Sequence, residues 1–145
     1  MSLGGWLHAD VTDFPRFARL KRRATGNDAL ACPFELCGNL ADIQPPTYPV
    51  PATELLDRIL TIALAEPRTV RRELKSASAD CQFRMEFQQA SAFFRFPDII
   101  AIEIIPSGPD SSTIALWSRS VVGRKDFGIN RARVERWLNR LSSAN

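Results

Sequence analysis

From Thr69 to Ser120 the chain carries four strand-like runs in succession with no helical pattern between them, and that order leaves few architectures open. Cys81, Phe83, Met85 and Phe87 alternate with Gln82, Arg84, Glu86 and Gln88. A side-chain period of two describes a half-buried strand with one wet face. Thr69 to Leu74 reads as a less marked strand, Ile99 to Ile105 as a third and Thr113 to Ser120 as a fourth. Between the last two, Pro106-Ser107-Gly108-Pro109-Asp110-Ser111-Ser112 is turn chemistry, so these strands should pair as an antiparallel hairpin. On either side of the strands the period lengthens. Leu55, Leu56, Ile59, Leu60 and Ala63 recur at helical spacing from Thr53 to Ala65, with Thr53 placed to cap the helix and Pro67 to stop it. Val134, Trp137, Leu138 and Leu141 form the apolar stripe of a closing helix that Asn130 can cap. The expected fold is therefore α+β: a four-stranded antiparallel sheet with two helices packed on one face, in the order helix, four strands, helix.

Ahead of this pattern, residues 1–50 mix Gly, Pro, Asp and Asn with scattered aromatics, and Pro45, Pro46, Pro49 and Pro51 hold its end extended. The expectation is an irregular N-terminal arm packed on a single α+β domain over residues 51–145. Phe14, Phe17 and Leu20 point to one short docked helix, with Arg16, Arg19, Lys21, Arg22 and Arg23 as its solvated side. With 19 basic against 16 acidic residues the net charge is only +3, too mild for a dedicated nucleic-acid binder. Arg133, Arg136 and Arg140 share the outer side of the closing helix on a helical wheel, and such a cluster supports at most weak, salt-sensitive binding. No specific nucleic-acid partner is expected. The sequence has no window approaching the roughly 18 apolar residues of a membrane helix. Ala29-Leu30-Ala31-Cys32 fails as a lipoprotein site, and Arg22-Arg23 as a twin-arginine signal, because neither has the apolar region it requires.

Cys81 begins the alternating strand and suits a small buried hydrophobe. Cys32 and Cys37 flank a short Pro-containing loop, where they can close a disulfide, bind metal or stay reduced. A closed zinc site needs four ligands and the only histidine, His8, lies far off in the arm, so no metal is expected. His8 with Asp10 could orient a base for Ser118 or Ser120, but in a surface arm the pair reads as solvated. No nucleophile elbow, glycine-rich phosphate loop or metal-binding helix motif is present, and Asp126-Phe127-Gly128 is a tripeptide coincidence with kinases. No catalytic residue and no cofactor are assigned.

The densest polar stretch runs from Leu116 to Val134, at the turn from the fourth strand into the closing helix. Its pattern is Ser118, Ser120, Gly123, Asp126, Gly128, Asn130 and Arg133, with Arg131 beside the last. Read with Phe94-Arg95-Phe96-Pro97-Asp98, it resembles the uncharacterised bacterial and plastid proteins grouped as domain-of-unknown-function family number 1499, over roughly residues 50 to 142. Cys32-Pro33 and Cys37 match that family's cysteine element only loosely, with Leu36 where an Asn is expected. Trp117 and Val121 stand near positions where some members carry Arg. The resemblance implies an apolar anchor upstream of a segment like Trp6-Leu7-His8-Ala9-Asp10, and hence membrane proximity or a periplasmic location for a longer protein. It names a fold family without naming a reaction.

Two roles suit the motif. As a binding site, Ser118, Ser120, Asp126, Asn130 and Arg131 would line a polar pocket for a small anionic ligand, since hydroxyls on alternate residues share a strand face and a helix start offers free N–H groups. As architecture, Gly123 and Gly128 make turns, Asn130 caps, and Asp126 sits at the positive helix end. Arg131 flanks the apolar stripe and would need a carboxylate, which makes Arg131 with Asp98 or Asp126 a candidate structural staple. The functional expectation is a noncatalytic binding or structural module of the bacterial cell envelope, with a small anionic ligand or a protein as partner. The alternative is a small hydrolase-like enzyme acting on an anionic substrate at the junction from Ser118 to Arg131.

Overall fold

The computed structural model describes residues 17, 20–22, 26–76, 83–90, 97–121 and 126–143, with the backbone alone for 73–76. Cys81, Gln82, His8, Asp10, Phe14, Gly123 and the Phe94-Arg95-Phe96 element lie outside the described residues. The elements are β1 (Asp28–Ala31), α1 (Phe34–Cys37), α2 (Ala52–Ala65), β2 (Thr69–Ser76), β3 (Phe83–Ala90), β4 (Pro97–Gly108), β5 (Ser111–Ser120) and α3 (Ile129–Ser143), with a 3-10 turn at Gly38–Leu40.

The sheet is antiparallel, as the run of strands requires, but among the described residues it has five strands in the order β1-β5-β4-β3-β2, accompanied by three helices. The four-stranded, two-helix expectation is thereby corrected. The extra strand, Asp28–Ala31, lies in the stretch expected to be irregular and pairs with β5 from Asp28 opposite Arg119 to Ala31 opposite Leu116. Four residues of composition Asp-Ala-Leu-Ala carry no β-branched or aromatic signal. The open edge of β5 makes them a strand. The one-turn helix α1 leaves no mark in the sequence for a similar reason, being too short to show a period.

The expected hairpin is present, with β4 and β5 paired from Asp98 opposite Ser120 to Gly108 opposite Ser111. Helix α2 starts one residue before Thr53, after Pro51, and no side chain caps it. Pro51 removes a backbone donor that would otherwise need a partner.

One face of the sheet presents Met85, Phe87, Ile100, Ile102, Ile104, Ile114 and Leu116 to both long helices. Leu55, Ile59 and Ile62 of α2 and Val134, Trp137, Leu138 and Leu141 of α3 close that core. Trp137 meets Phe87 edge to face at 6.2 Å. The opposite face was expected to be wet, yet Arg84 and Glu86 are buried on it, Glu86 fully. A second apolar cluster explains this. Phe17 and Leu20 of the arm pack with Leu30, Cys32, Cys37, Ala101, Ala115 and Trp117 over that side. Arg84 forms a 3.3 Å ion pair with Glu103, its direct cross-strand neighbour, and the Phe17 amide donates to the other Glu103 oxygen. Arg119 stacks 4.2 Å over the Trp117 ring.

Candidate functional site

Strand register builds the site before any side-chain bond is considered. Gln89, Asp98 and Ser120 lie directly opposite one another across β3, β4 and β5, and Ser118 sits one step further along the same face. The middle of that face is apolar, from Met85 and Phe87 across Ile100, Ile102 and Ile104 to Ile114 and Leu116, so this end of the sheet is where α3 meets polar groups. The helix meets them with its first turn. Asn130 and Arg133 are three residues apart, share one helical face, and continue the stripe of Val134, Trp137, Leu138 and Leu141.

Arg133 makes most of the contacts. Its Nε donates to Gln89 Oε1 at 2.6 Å and its Nη2 to Asp98 Oδ2 at 2.8 Å. Its Nη1 donates to Ser118 Oγ at 2.9 Å and to Asn130 Oδ1 at 2.8 Å. The Ser118 hydroxyl donates in turn to Asn130 Oδ1 at 2.6 Å. The two hydrogens of Asn130 Nδ2 are shared among Ser120 Oγ, Asp126 Oδ2 and the Asn27 carbonyl, at 2.9, 2.7 and 3.1 Å. These partners fix which way the amide points. Ser118 and Asn130 are fully buried and Arg133 is 5% exposed.

Asp126 forms the mouth of the helix. Its Oδ1 accepts from the Gly128 amide at 2.9 Å and its Oδ2 from the Asn130 amide at 3.3 Å, so it caps the helix start. The capping role expected of Asn130 belongs to Asp126, and Asn130 turns its side chain into the sheet instead. The tight entry requires positive φ at two consecutive residues, 53° at Phe127 and 79° at Gly128. Glycine accepts that region without cost, whereas Phe127 is held there by the turn and stands 91% exposed.

The network runs on beyond the motif. Gln89 Nε2 donates to Glu66 Oε1 at 3.2 Å, and Glu66 receives Arg136 at 2.7 and 3.0 Å and Arg140 at 3.0 Å. Burial opposes charge on Glu66, but Arg136 and Gln89 more than offset it and hold the carboxyl at about 2. At Asp98 the balance reverses: burial pushes its carboxyl above the usual range even with Arg133 alongside.

Of the residues expected at the site, Ser118, Ser120, Asp126 and Asn130 come together with Asp98, and Arg131 does not. Arg131 is exposed and pairs with Glu135 one turn along. The staple assigned to Arg131 is made by Arg133, which the helical wheel had turned outward. Arg131 and Arg133 flank the apolar stripe on opposite sides, and only Arg133's side faces Gln89 and Asp98. For the same reason Arg133, Arg136 and Arg140 form no outward cationic patch, since the first is buried and the others converge on Glu66. Gln89, Glu66 and the Asn27 carbonyl were missed altogether. Arg133 stands in the motif but not among the expected pocket or staple residues, and its three-residue spacing from Asn130 was the available signal that the two share a helical face.

Cys32 and Cys37 are joined by a disulfide, which resolves the three outcomes left open for them. Among the described residues no group of three or more His, Cys, Asp or Glu is placed to hold a metal ion. No described helix is long and apolar enough to cross a membrane.

A family model described as a protein of unknown function, DUF1499, matches residues 7–141. The chain belongs to this family. The match takes in the arm, β1 and the disulfide turn together with the sheet, so the part of the chain that covers the second sheet face is within the family's extent. Comparison with curated proteins and with solved structures gives no match.

Proposed function

We propose that this DUF1499 chain is a noncatalytic binding or structural module of the bacterial cell envelope. The observation that carries the reading is the closed network around Arg133. Ser118, Ser120, Asp126 and Asn130 spend their polar atoms on one another, on backbone groups and on the guanidinium. A nucleophile or base would need an atom left over for substrate. The Cys32–Cys37 disulfide supports the envelope part of the reading, because such bonds persist in oxidising compartments.

Both parts are open to experiment. The purified chain would be assayed against chromogenic carboxylic and phosphate esters, with Asp126→Asn and Asp98→Asn beside it. The module reading expects no turnover above background in any of the three proteins. A rate abolished by either substitution would sink it. For compartment, alkylating the protein as it comes from its native host should label one of the three cysteines before reduction and all three after. Labelling of all three without reductant would place it in a reducing compartment.

A second reading has one observation in its favour. The raised Asp98 carboxyl, beside Ser120, is the kind of perturbed acid that a small hydrolase acting on an anionic substrate would use. The esterase assay decides between the two.

A further inference from the structure

A cavity of about 370 Å³ opens at the other end of β5 from the Arg133 network, and it does not depend on that network. Three separate pieces of chain build it: the disulfide-closed turn, the extended segment at 44–47, and the β4–β5 hairpin. Its walls are largely apolar, from Pro33, Leu36, Pro45 and Ile105, and Leu36 and Ile105 rest on the second core cluster beneath. Its size falls within the range of small-molecule sites, roughly 300 to 1,000 Å³.

The polar atoms of the lining discriminate between ligands because several are already committed. Thr113 Oγ1 donates to the Pro46 carbonyl at 2.8 Å, and the Ser107 and Ser111 hydroxyls bond to each other at 2.9 Å. Gln44 Oε1 accepts from the Phe34 amide at 3.0 Å, which ties two walls together. Among the described residues Glu35 is the lining's single charged side chain, and its carboxylate has no protein partner there. An apolar trough with one uncommitted carboxylate favours a cation and repels an anion.

We propose that this cavity binds a small amphiphilic cation, an apolar or aromatic body on Leu36, Ile105 and the two prolines with a protonated amine at Glu35. The Cys32–Cys37 bond closes the ends of the turn that carries Pro33, Glu35 and Leu36, so three lining residues hang from a covalently closed loop. Such closure limits the ordering that binding would otherwise require.

The test uses the full chain with its disulfide intact and two probes of similar shape and opposite charge, 2-phenylethylammonium and 3-phenylpropionate. Methyl resonances of Leu36, Ile105 and Thr113 are followed by NMR during titration. The ammonium should shift them saturably in the millimolar range, with the carboxylate at least about threefold weaker, as expected for one exposed charge. Glu35→Gln, a surface change that leaves the core intact, should remove that preference while both probes still bind the apolar walls. Absence of saturable shifts at these three residues would overturn the proposal. So would equal binding of the two probes, or a preference that survives in Glu35→Gln.

Discussion

Arg133 brings four acceptors to one guanidinium in a place where water is excluded, and this makes it the residue on which the α3 junction turns. Removing it takes the guanidinium donor from the Asp98 carboxylate and from Gln89 Oε1, and a buried charge left without its partner costs about 3 to 5 kcal/mol. Arg133→Met should therefore lower the urea-unfolding free energy by that amount, while Arg131→Met, at an exposed pair, should stay within about 0.5 kcal/mol. A double-mutant cycle of Arg133→Met with Asp98→Asn should show coupling of about 1 kcal/mol or more. Equal small losses at 131 and 133 would remove the network from any account of stability. The motif residues Ser118, Ser120, Asp126 and Asn130 were legible as a polar cluster because strand alternation and helix capping are local rules. The choice of Arg133 over Arg131 was not. Both flank the stripe, and the position of Gln89 and Asp98 on strands far away in sequence decides between them.

At the scale of elements, Glu66 joins the end of α2 to the middle of α3 through Arg136 and Arg140. Its carboxyl is lowered from 4.5 to about 2, so the ionised form is favoured in the folded state. The stabilisation is present above the unfolded value and is lost as pH falls from about 4.5 toward 2. Both arginines are partly solvated, which screens the interaction, so the loss should be discounted to about 2 kcal/mol. Urea unfolding at pH 7, 4.5 and 2.5 should show that extra loss in the native chain relative to Glu66→Gln. Parallel pH profiles for the two proteins would count against the linkage. Asp98 works in the opposite sense. A raised carboxyl favours its protonated form on folding, so its contribution is greatest below the unfolded value and declines as pH rises through the folded one. The hairpin and the two long helices were readable because period and turn chemistry are written in consecutive residues. Strand β1 was not, because Asp28–Ala31 acquires strand geometry only from pairing with β5.

For the whole molecule the decisive feature is that both faces of the sheet are covered. Phe17 is 1% exposed in the second cluster, and its amide donates to the fully buried Glu103. Phe17→Ala should cost about 3 to 5 kcal/mol, measured by thermal or urea unfolding, as for other buried aromatics. A change under about 1 kcal/mol would show the arm to be a dispensable cover. Alternation along β3 correctly placed Met85 and Phe87 against the helices, yet the same alternation made Arg84 and Glu86 look wet. Periodicity states that two faces differ. It does not state what covers the polar one, and here an arm more than sixty residues upstream of β3 does so. The sequence by itself determined the antiparallel α+β class, the hairpin and the apolar stripes, because those follow from interactions between near neighbours. Tertiary structure alone decided the fifth strand, the disulfide pairing, the identity of the stapling arginine and the burial of the second face. Each of these depends on which distant segments the chain brings together, and desolvation then makes every unmatched polar group costly enough to select its partner.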